Sequence, residues 1–211
     1  MFTGLVEEVG TLAEIGTRNR GKVLRVSARK VLEDLALGDS VSINGACQTV
    51  TALSPHDFSV EAVGDTLDKT TLGSLPPGTP LNLERACRAD SRMGGHFVLG
   101  HVNGVGQVSS WAAEGEAWSL EIIPPPGLLK YLVAEGSVTV DGISLTVAQS
   151  GADRFRVNVI PHTRSHTNLE ALRPGRGVNL EVDILAKYIE GLLARPAGGL
   201  DEGRLHQWGY Q

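Results

Sequence analysis

Cysteine is nearly absent from this 211-residue chain: Cys47 and Cys87 are its only two. Two cysteines do not imply a disulfide framework, so a reducing compartment is the simpler expectation. Aromatic residues are scarce, at 5%. Lys and Arg form no run, and the net charge is −5; a nucleic-acid binder would need a concentrated basic patch, so that class is disfavoured. No stretch approaches the ~20 apolar residues of a membrane span. The opening MFTGLVEEVG has no basic n-region and is interrupted by Glu7 and Glu8, so no signal peptide is expected. Together these absences point to a soluble, cytoplasmic protein. What is present is turn chemistry: 26 glycines and 10 prolines in a chain that is 41% apolar, a β-rich rather than helical signature.

The chain is written twice. Moved back by 97 positions, residues 138–183 fall on 41–86. Val138, Gly142, Thr146, Val147, Phe155 and Val157 meet Val41, Gly45, Thr49, Val50, Phe58 and Val60. Pro174-Gly175 meets Pro77-Gly78, and Asn179, Leu180 and Glu181 meet Asn82, Leu83 and Glu84. About a third of the positions match without a gap, against roughly one in fifteen by chance. With a shift one shorter, Gly4, Val6, Val9 and Gly10 meet Gly100, Val102, Val105 and Gly106, which puts the seam near Val98. A unit of this length present twice does not suit a solenoid, so two similar domains, 1–97 and 98–184, are expected.

Within each half, short alternating runs are separated by turns: 23–28, 40–45, 47–53, 58–63 and 80–85, then 118–123, 137–142, 144–149, 155–160 and 177–182. Period-2 alternation suits strands with one buried face. Asn44-Gly45 and Asp141-Gly142 are pairs favoured at type I′ hairpin turns. About six strands per half suggest small closed barrels, a mainly all-β fold of two tandem six-stranded Greek-key-type barrels. Residues 31–38, with Val31, Leu32 and Leu35 on one face and Gly38 at the end, read as a helical insertion, and 128–136 as its counterpart. Leu185, Tyr188, Ile189, Leu192 and Leu193 form an apolar stripe on a last helix, 185–195, closed by Pro196. That helix is too short to stand alone; its own barrel and a subunit interface are equally good partners on pattern. Residues 196–211 read as a loose tail.

Five segments in order, MFTGLVEEVG, NGACQTV (44–50), GGHFVLGH (94–101), VDGISLTV (140–147) and VNLEVD (178–183), resemble the riboflavin synthase family over about residues 1–195. The resemblance implies two six-stranded barrels, each holding one 6,7-dimethyl-8-ribityllumazine, and a C-terminal helix that gathers three subunits. It implies active sites shared between the first barrel of one subunit and the second barrel of its neighbour. The implied reaction is a dismutation of two lumazines to riboflavin and 5-amino-6-(D-ribitylamino)uracil, without cofactor or metal. Lumazine synthase is a candidate partner on the same ground.

The resemblance assigns catalytic roles to Cys47, His101, Ser144 and Asp183. Bland readings compete with each: a buried thiol, a solvated strand-end carboxylate. A thiol or hydroxyl without a neighbouring base is a poor nucleophile, so Cys47 and its counterpart Ser144 are read first as ring-positioning groups. His101 could move protons from the C7 methyl group. His96 accompanies it, and His162 and His166 are spaced four apart, but no third metal ligand is evident. His162 falls opposite Asp65 in the duplication and reads as a loop residue near the ribityl chain. Substrate contact is further implied for Phe2, Thr3, Gly4, Leu5 and Val6, whose start looks disordered by composition, and for Ser40, Gln48, Thr49, Glu61, Ala62, Val63, Thr66, Gly100 and Val102. In the second half the set is Glu135, Leu145, Thr146, Val159, Ile160, Pro161, His162, Thr163 and Arg164. Ser40, Thr66 and Thr163 read as strand-end polar residues.

Glu135 departs from the family, where a lysine is frequent; an anion there would repel an anionic intermediate, and Lys130 is the nearby substitute cation. Gln48 stands where an apolar residue is common. Two rivals remain: a lumazine or flavin carrier of the same fold, and the barrel of a flavin oxidoreductase. The second lacks the Gly-rich nucleotide fingerprint that its partner domain would carry.

Overall fold

The computed structural model describes residues 1–19, 21–194 and 206–209. The first half comprises β1 (Glu8–Arg18), β2 (Gly21–Ser27), β3 (Ser40–Ile43), β4 (Ala46–Leu53), β5 (Asp57–Val63), α1 (Gly64–Lys69) and β6 (Pro80–Arg85). The second comprises β7 (Gly104–Glu114), β8 (Ala117–Ile123), β9 (Ser137–Val140), β10 (Ile143–Ser150), β11 (Phe155–Val159), α2 (Pro161–Ser165), β12 (Gly177–Val182) and α3 (Ile184–Leu193). Each half closes into an antiparallel barrel, β1-β2-β5-β4-β3-β6 and the equivalent β7-β8-β11-β10-β9-β12. Closure leaves no unpaired edge. Bulges fall at matching places, in β1 and β7 and again in β4 and β10, where they bend long strands around the barrel.

Alternation decides what fills each barrel. Leu12, Leu24, Val26, Val50, Phe58, Val60 and Leu83 point into the first, and Val108, Leu120, Ile122, Val147, Phe155, Val157 and Leu180 into the second. Each such side chain contributes about 1.5–3 kcal/mol on burial.

Both expected helical insertions are instead single 3-10 turns, Val31–Glu33 and Leu129–Tyr131. The chain is pulled back to the sheet a few residues later: the Gly38 N–H donates to the Val50 carbonyl, and the Glu135 N–H to that of Val147. Both residues turn through positive φ, +88° and +66°. Conversely α1 and α2 stand where loops and strand ends were expected, so Thr66, Thr163 and His162 lie in short helices. Pro161 at the first turn of α2, where its missing N–H costs nothing, starts that helix.

The hairpin residues Asn44, Gly45, Asp141 and Gly142 all have positive φ, as a I′ turn requires. The two turns pack back to back between the barrels, with side-chain amides crossing. Asn82 Nδ2 donates to the Asp141 carbonyl at 2.9 Å, and Asn179 Nδ2 to that of Asn44 at 2.8 Å. Asn44 Oδ1 and Asp141 Oδ1 accept from the backbone of Asn82 and Asn179 at 2.8 Å each. Asn168 Nδ2 reaches Asp141 Oδ2 at 3.0 Å.

On α3, Leu185, Tyr188, Ile189, Leu192 and Leu193 are 52–80% exposed, so the stripe does not pack on its own barrel. Among the described residues no helix is long and apolar enough to cross a membrane. The tail expectation falls largely on residues outside those described.

Candidate active site

Strand alternation sorts the expected residues into two outer faces. On the first barrel Cys47 and Thr49 of β4 and Glu61 and Val63 of β5 point outward, with Ser40 of β3 opposite Thr49. On the second, Ser144 and Thr146 of β10 point outward, with exposed Ile160 and Pro161 leading into α2. Others of the expected set are buried. Gln48, Ala62, Val102, Leu145 and Val159 are at most 9% exposed. Gln48 Nε2 donates to the Cys47 carbonyl at 2.6 Å.

The start of the chain is ordered. Phe2 is fully buried and exchanges backbone hydrogen bonds with Val98. From that pair the two segments cross to opposite barrels. The Gly4 carbonyl accepts the Ser144 N–H at 2.8 Å, and Val6 packs on the second barrel's core. The Gly100 carbonyl accepts the Cys47 N–H at 2.9 Å, and Val102 joins the first barrel's core. Both glycines are at φ +77°, and a Cβ on either would stand 2.6–2.7 Å from the Cβ of its serine or cysteine. Leu5 is exposed beside this crossing.

Glutamates hold both crossings. Glu84 accepts the Thr3 N–H and hydroxyl at 2.6 and 2.7 Å and the Gly4 N–H at 3.0 Å. Glu181 accepts the Leu99 and Gly100 N–H groups at 2.8 and 3.0 Å. Burial pushes both carboxyls above the usual range, and the amide donors pull against it.

His96 Nδ1 lies 2.8 Å from Ser144 Oγ. Burial pushes this imidazole below the free value of 6.5, with the charge of Asp183 pulling the other way. A neutral imidazole beside a hydroxyl can accept a proton at pH 7. Asp183 is not a free strand-end carboxylate: its Oδ1 caps α3, accepting from Leu185 N at 3.0 Å. His101 is exposed, next to Gly100. His162 and His166 stack at 4.1 Å, and His166 Nδ1 faces the His162 carbonyl rather than a shared metal position. The Arg164 guanidinium lies 4.3 Å over the Trp118 ring. Lys130 is engaged by Glu190 of α3, so it does not stand in for the cation missing at Glu135.

A cleft of about 670 Å³ sits beside the first face; it takes in Thr3, Leu5 and Ser40 but not Cys47, His101, Ser144 or Asp183.

The chain therefore carries two equivalent outer faces on twin barrels, and comparison with known proteins gives the class. The lumazine binding domain matches residues 3–86 and again 99–183. Solved structures of LumP, with 6,7-dimethyl-8-(1'-D-ribityl) lumazine and with riboflavin, share the fold at TM-scores of 0.79 and 0.81 and 24% identity, covering 86% of this chain and 99% of theirs. Riboflavin synthase of Actinobacillus pleuropneumoniae is 44% identical, covering 93% of this chain and 92% of its own. That of Bacillus subtilis is 40% identical over 90% and 88%, and that of Mycobacterium bovis 42% over 94% and 100%. The chain belongs to the riboflavin synthase family.

Proposed function

We propose that this chain catalyses the dismutation of two 6,7-dimethyl-8-ribityllumazine molecules to riboflavin and 5-amino-6-(D-ribitylamino)uracil. The observation that carries it is the pairing of two equivalent outer faces, one bearing Cys47 and the other Ser144, in a chain 44% identical to a riboflavin synthase. One substrate per face suits a reaction between two copies of one molecule. On the second face, the Ser144–His96 contact supplies a hydroxyl and a neutral imidazole to take a proton from the acidic C7 methyl of one lumazine. The carbanion bonds to the ring carbon it faces on the other lumazine, held beside Cys47, Thr49 and His101; a second carbon–carbon bond closes the new ring, the donor's C6–N5 and C7–N8 bonds break, and its two nitrogens leave as those of 5-amino-6-(D-ribitylamino)uracil. Much of the rate comes from holding two rings in reactive geometry.

The finer reading adds a homotrimer gathered by α3, whose apolar stripe is exposed on the single chain, with sites shared between neighbours. It also adds a cytoplasmic location and lumazine synthase as a candidate partner. The function is tested by giving purified protein the lumazine alone. One riboflavin per two lumazines consumed, with no metal or nucleotide added, is expected. Tight binding without turnover would make it a carrier. Cys47→Ser and His101→Ala should lower kcat more than lumazine affinity; equal loss of both would remove these roles.

A further inference from the structure

Glu84 and Glu181 are both buried, Glu84 at the wall of the cleft beside the first face, and each is wired to the opposite barrel. Glu84 belongs to β6 of the first barrel and holds the Thr3 and Gly4 amides. The carbonyl of the same Gly4 receives the N–H of Ser144 in the second barrel. The Thr3 carbonyl receives the His96 N–H at 3.2 Å, so the same glutamate supports both members of the Ser144–His96 pair. Glu181 mirrors this from β12 of the second barrel. It holds Leu99 and Gly100, whose carbonyl receives the N–H of Cys47 in the first barrel, one residue before His101.

A single glycine in each case has its amide on one barrel's glutamate and its carbonyl on the other barrel's reactive strand. Neither glycine tolerates a Cβ, because it would run into Ser144 or Cys47. The contact is too close for slack. Two charge-assisted hydrogen bonds to consecutive amides fix the segment's height and orientation, where one bond would leave it free to rotate.

The geometry points to Glu84 and Glu181 as crossed positioning residues: each sets, through one bridging glycine, the reactive side chain of the opposite barrel. Glu181 positions Cys47 and His101; Glu84 positions Ser144 and His96. The consequence for turnover rests on the proposed function, but the crossed wiring can be read without it.

The experiment uses the full chain with Glu84→Gln and Glu181→Gln. An amide keeps the shape and offers one oxygen acceptor instead of two, so one backbone N–H loses its partner. Three readouts are taken: the iodoacetamide rate at Cys47 followed by peptide mass spectrometry, the titration of the His96 ring by NMR, and kcat and KM with the lumazine. Glu181→Gln should change the Cys47 rate by about threefold or more and leave His96 within the scatter expected of uncoupled sites. Glu84→Gln should shift the His96 titration and leave the Cys47 rate within about twofold. Both should lower kcat by about ten- to a hundredfold, with KM moving less.

Equal disturbance of Cys47 and His96 by both variants would reduce the glutamates to general supports and overturn the inference. So would an unchanged Cys47 in a folded Glu181→Gln protein. If the amide variants lose cooperative melting, Glu84→Asp and Glu181→Asp, which keep two acceptors on a stem one methylene shorter, should give the same crossed pattern at smaller size. A wild-type protein that does not convert the lumazine sinks the functional reading alone, since the Cys47 and His96 readouts need no turnover.

Discussion

Asn44 and Asp141 occupy the same place in the two hairpin turns, and an amide and a carboxyl there differ in a way solution experiments can read. Asp141 is completely buried, and desolvation pushes its pKa from 3.8 up to about 6, against the donors of Asn179 and Asn168. The folded chain therefore holds this proton more tightly than the unfolded one. The resulting stability is fully present below the unfolded pKa and is lost as pH rises through about 6. The span corresponds to on the order of 3 kcal/mol. Asp141→Asn cannot titrate. Urea unfolding of both proteins should thus show the difference moving in favour of the asparagine variant, by roughly that amount, between about pH 4 and 7.5. A difference that does not change with pH would mean the carboxyl is not held as the network implies. At this scale the sequence was only half legible. The strands carrying Cys47, Thr49, Ser144 and Thr146 could be placed from alternation, but Cys47 also read as a buried thiol, and the His96–Ser144 contact joins residues 48 apart with no local pattern. The role of Glu84 and Glu181 had a signal, the repeated Asn-Leu-Glu, that served only to fix the repeat's register.

The I′ hairpins show what an element demands beyond its own geometry. A Cβ on Gly142 would lie 2.6 Å from the Gly45 nitrogen, and φ there is +79°. Gly175, in the Pro-Gly turn, has a similar φ of +87° but nothing within 4 Å of its would-be Cβ. Gly175→Ala should cost about 1–2 kcal/mol, the left-handed penalty alone. Gly142→Ala should cost about 3 kcal/mol or more, because it also wedges the two barrels apart. Thermal or urea unfolding of the pair decides it, and equal costs would show that the turns are not in tight contact. The strands themselves were legible because their alternation is local. The helix α3 was legible too, from its stripe, but the short helical segments were not: residues 31–38 carry a helical stripe, but the backbone bond from Gly38 back to Val50 ends the turn after three residues. In α1 no residue is buried, so the segment offers no apolar stripe to detect.

At the scale of the whole molecule, duplication was visible in the sequence but the exchange of segments was not, because a crossing of residues 2–6 with 98–102 leaves each repeat's pattern intact. That exchange makes the two barrels one mechanical unit, and it puts Cys47 and Ser144 on faces held by different crossings. If each working site joins the first face of one subunit to the second face of its neighbour, the contact is heterologous and closes as a ring. The exposed stripe of Leu185, Tyr188, Ile189, Leu192 and Leu193 is the surface available to gather that ring. Two chains then suffice for a decisive test: one disabled on the first face by Cys47→Ser with His101→Ala, the other on the second by Ser144→Ala with His96→Gln. Each alone should be nearly inactive. Co-expressed at equal level, random assortment leaves about a quarter of the inter-subunit sites with both faces intact, and activity should return to about that fraction of wild type. Recovery should vanish when Leu192→Asp and Tyr188→Asp are added to both chains and sedimentation reports a monomer. If every site lay within one chain, no mixture of these two variants could restore an intact pair of faces, and the co-expressed protein would stay as inactive as its parents.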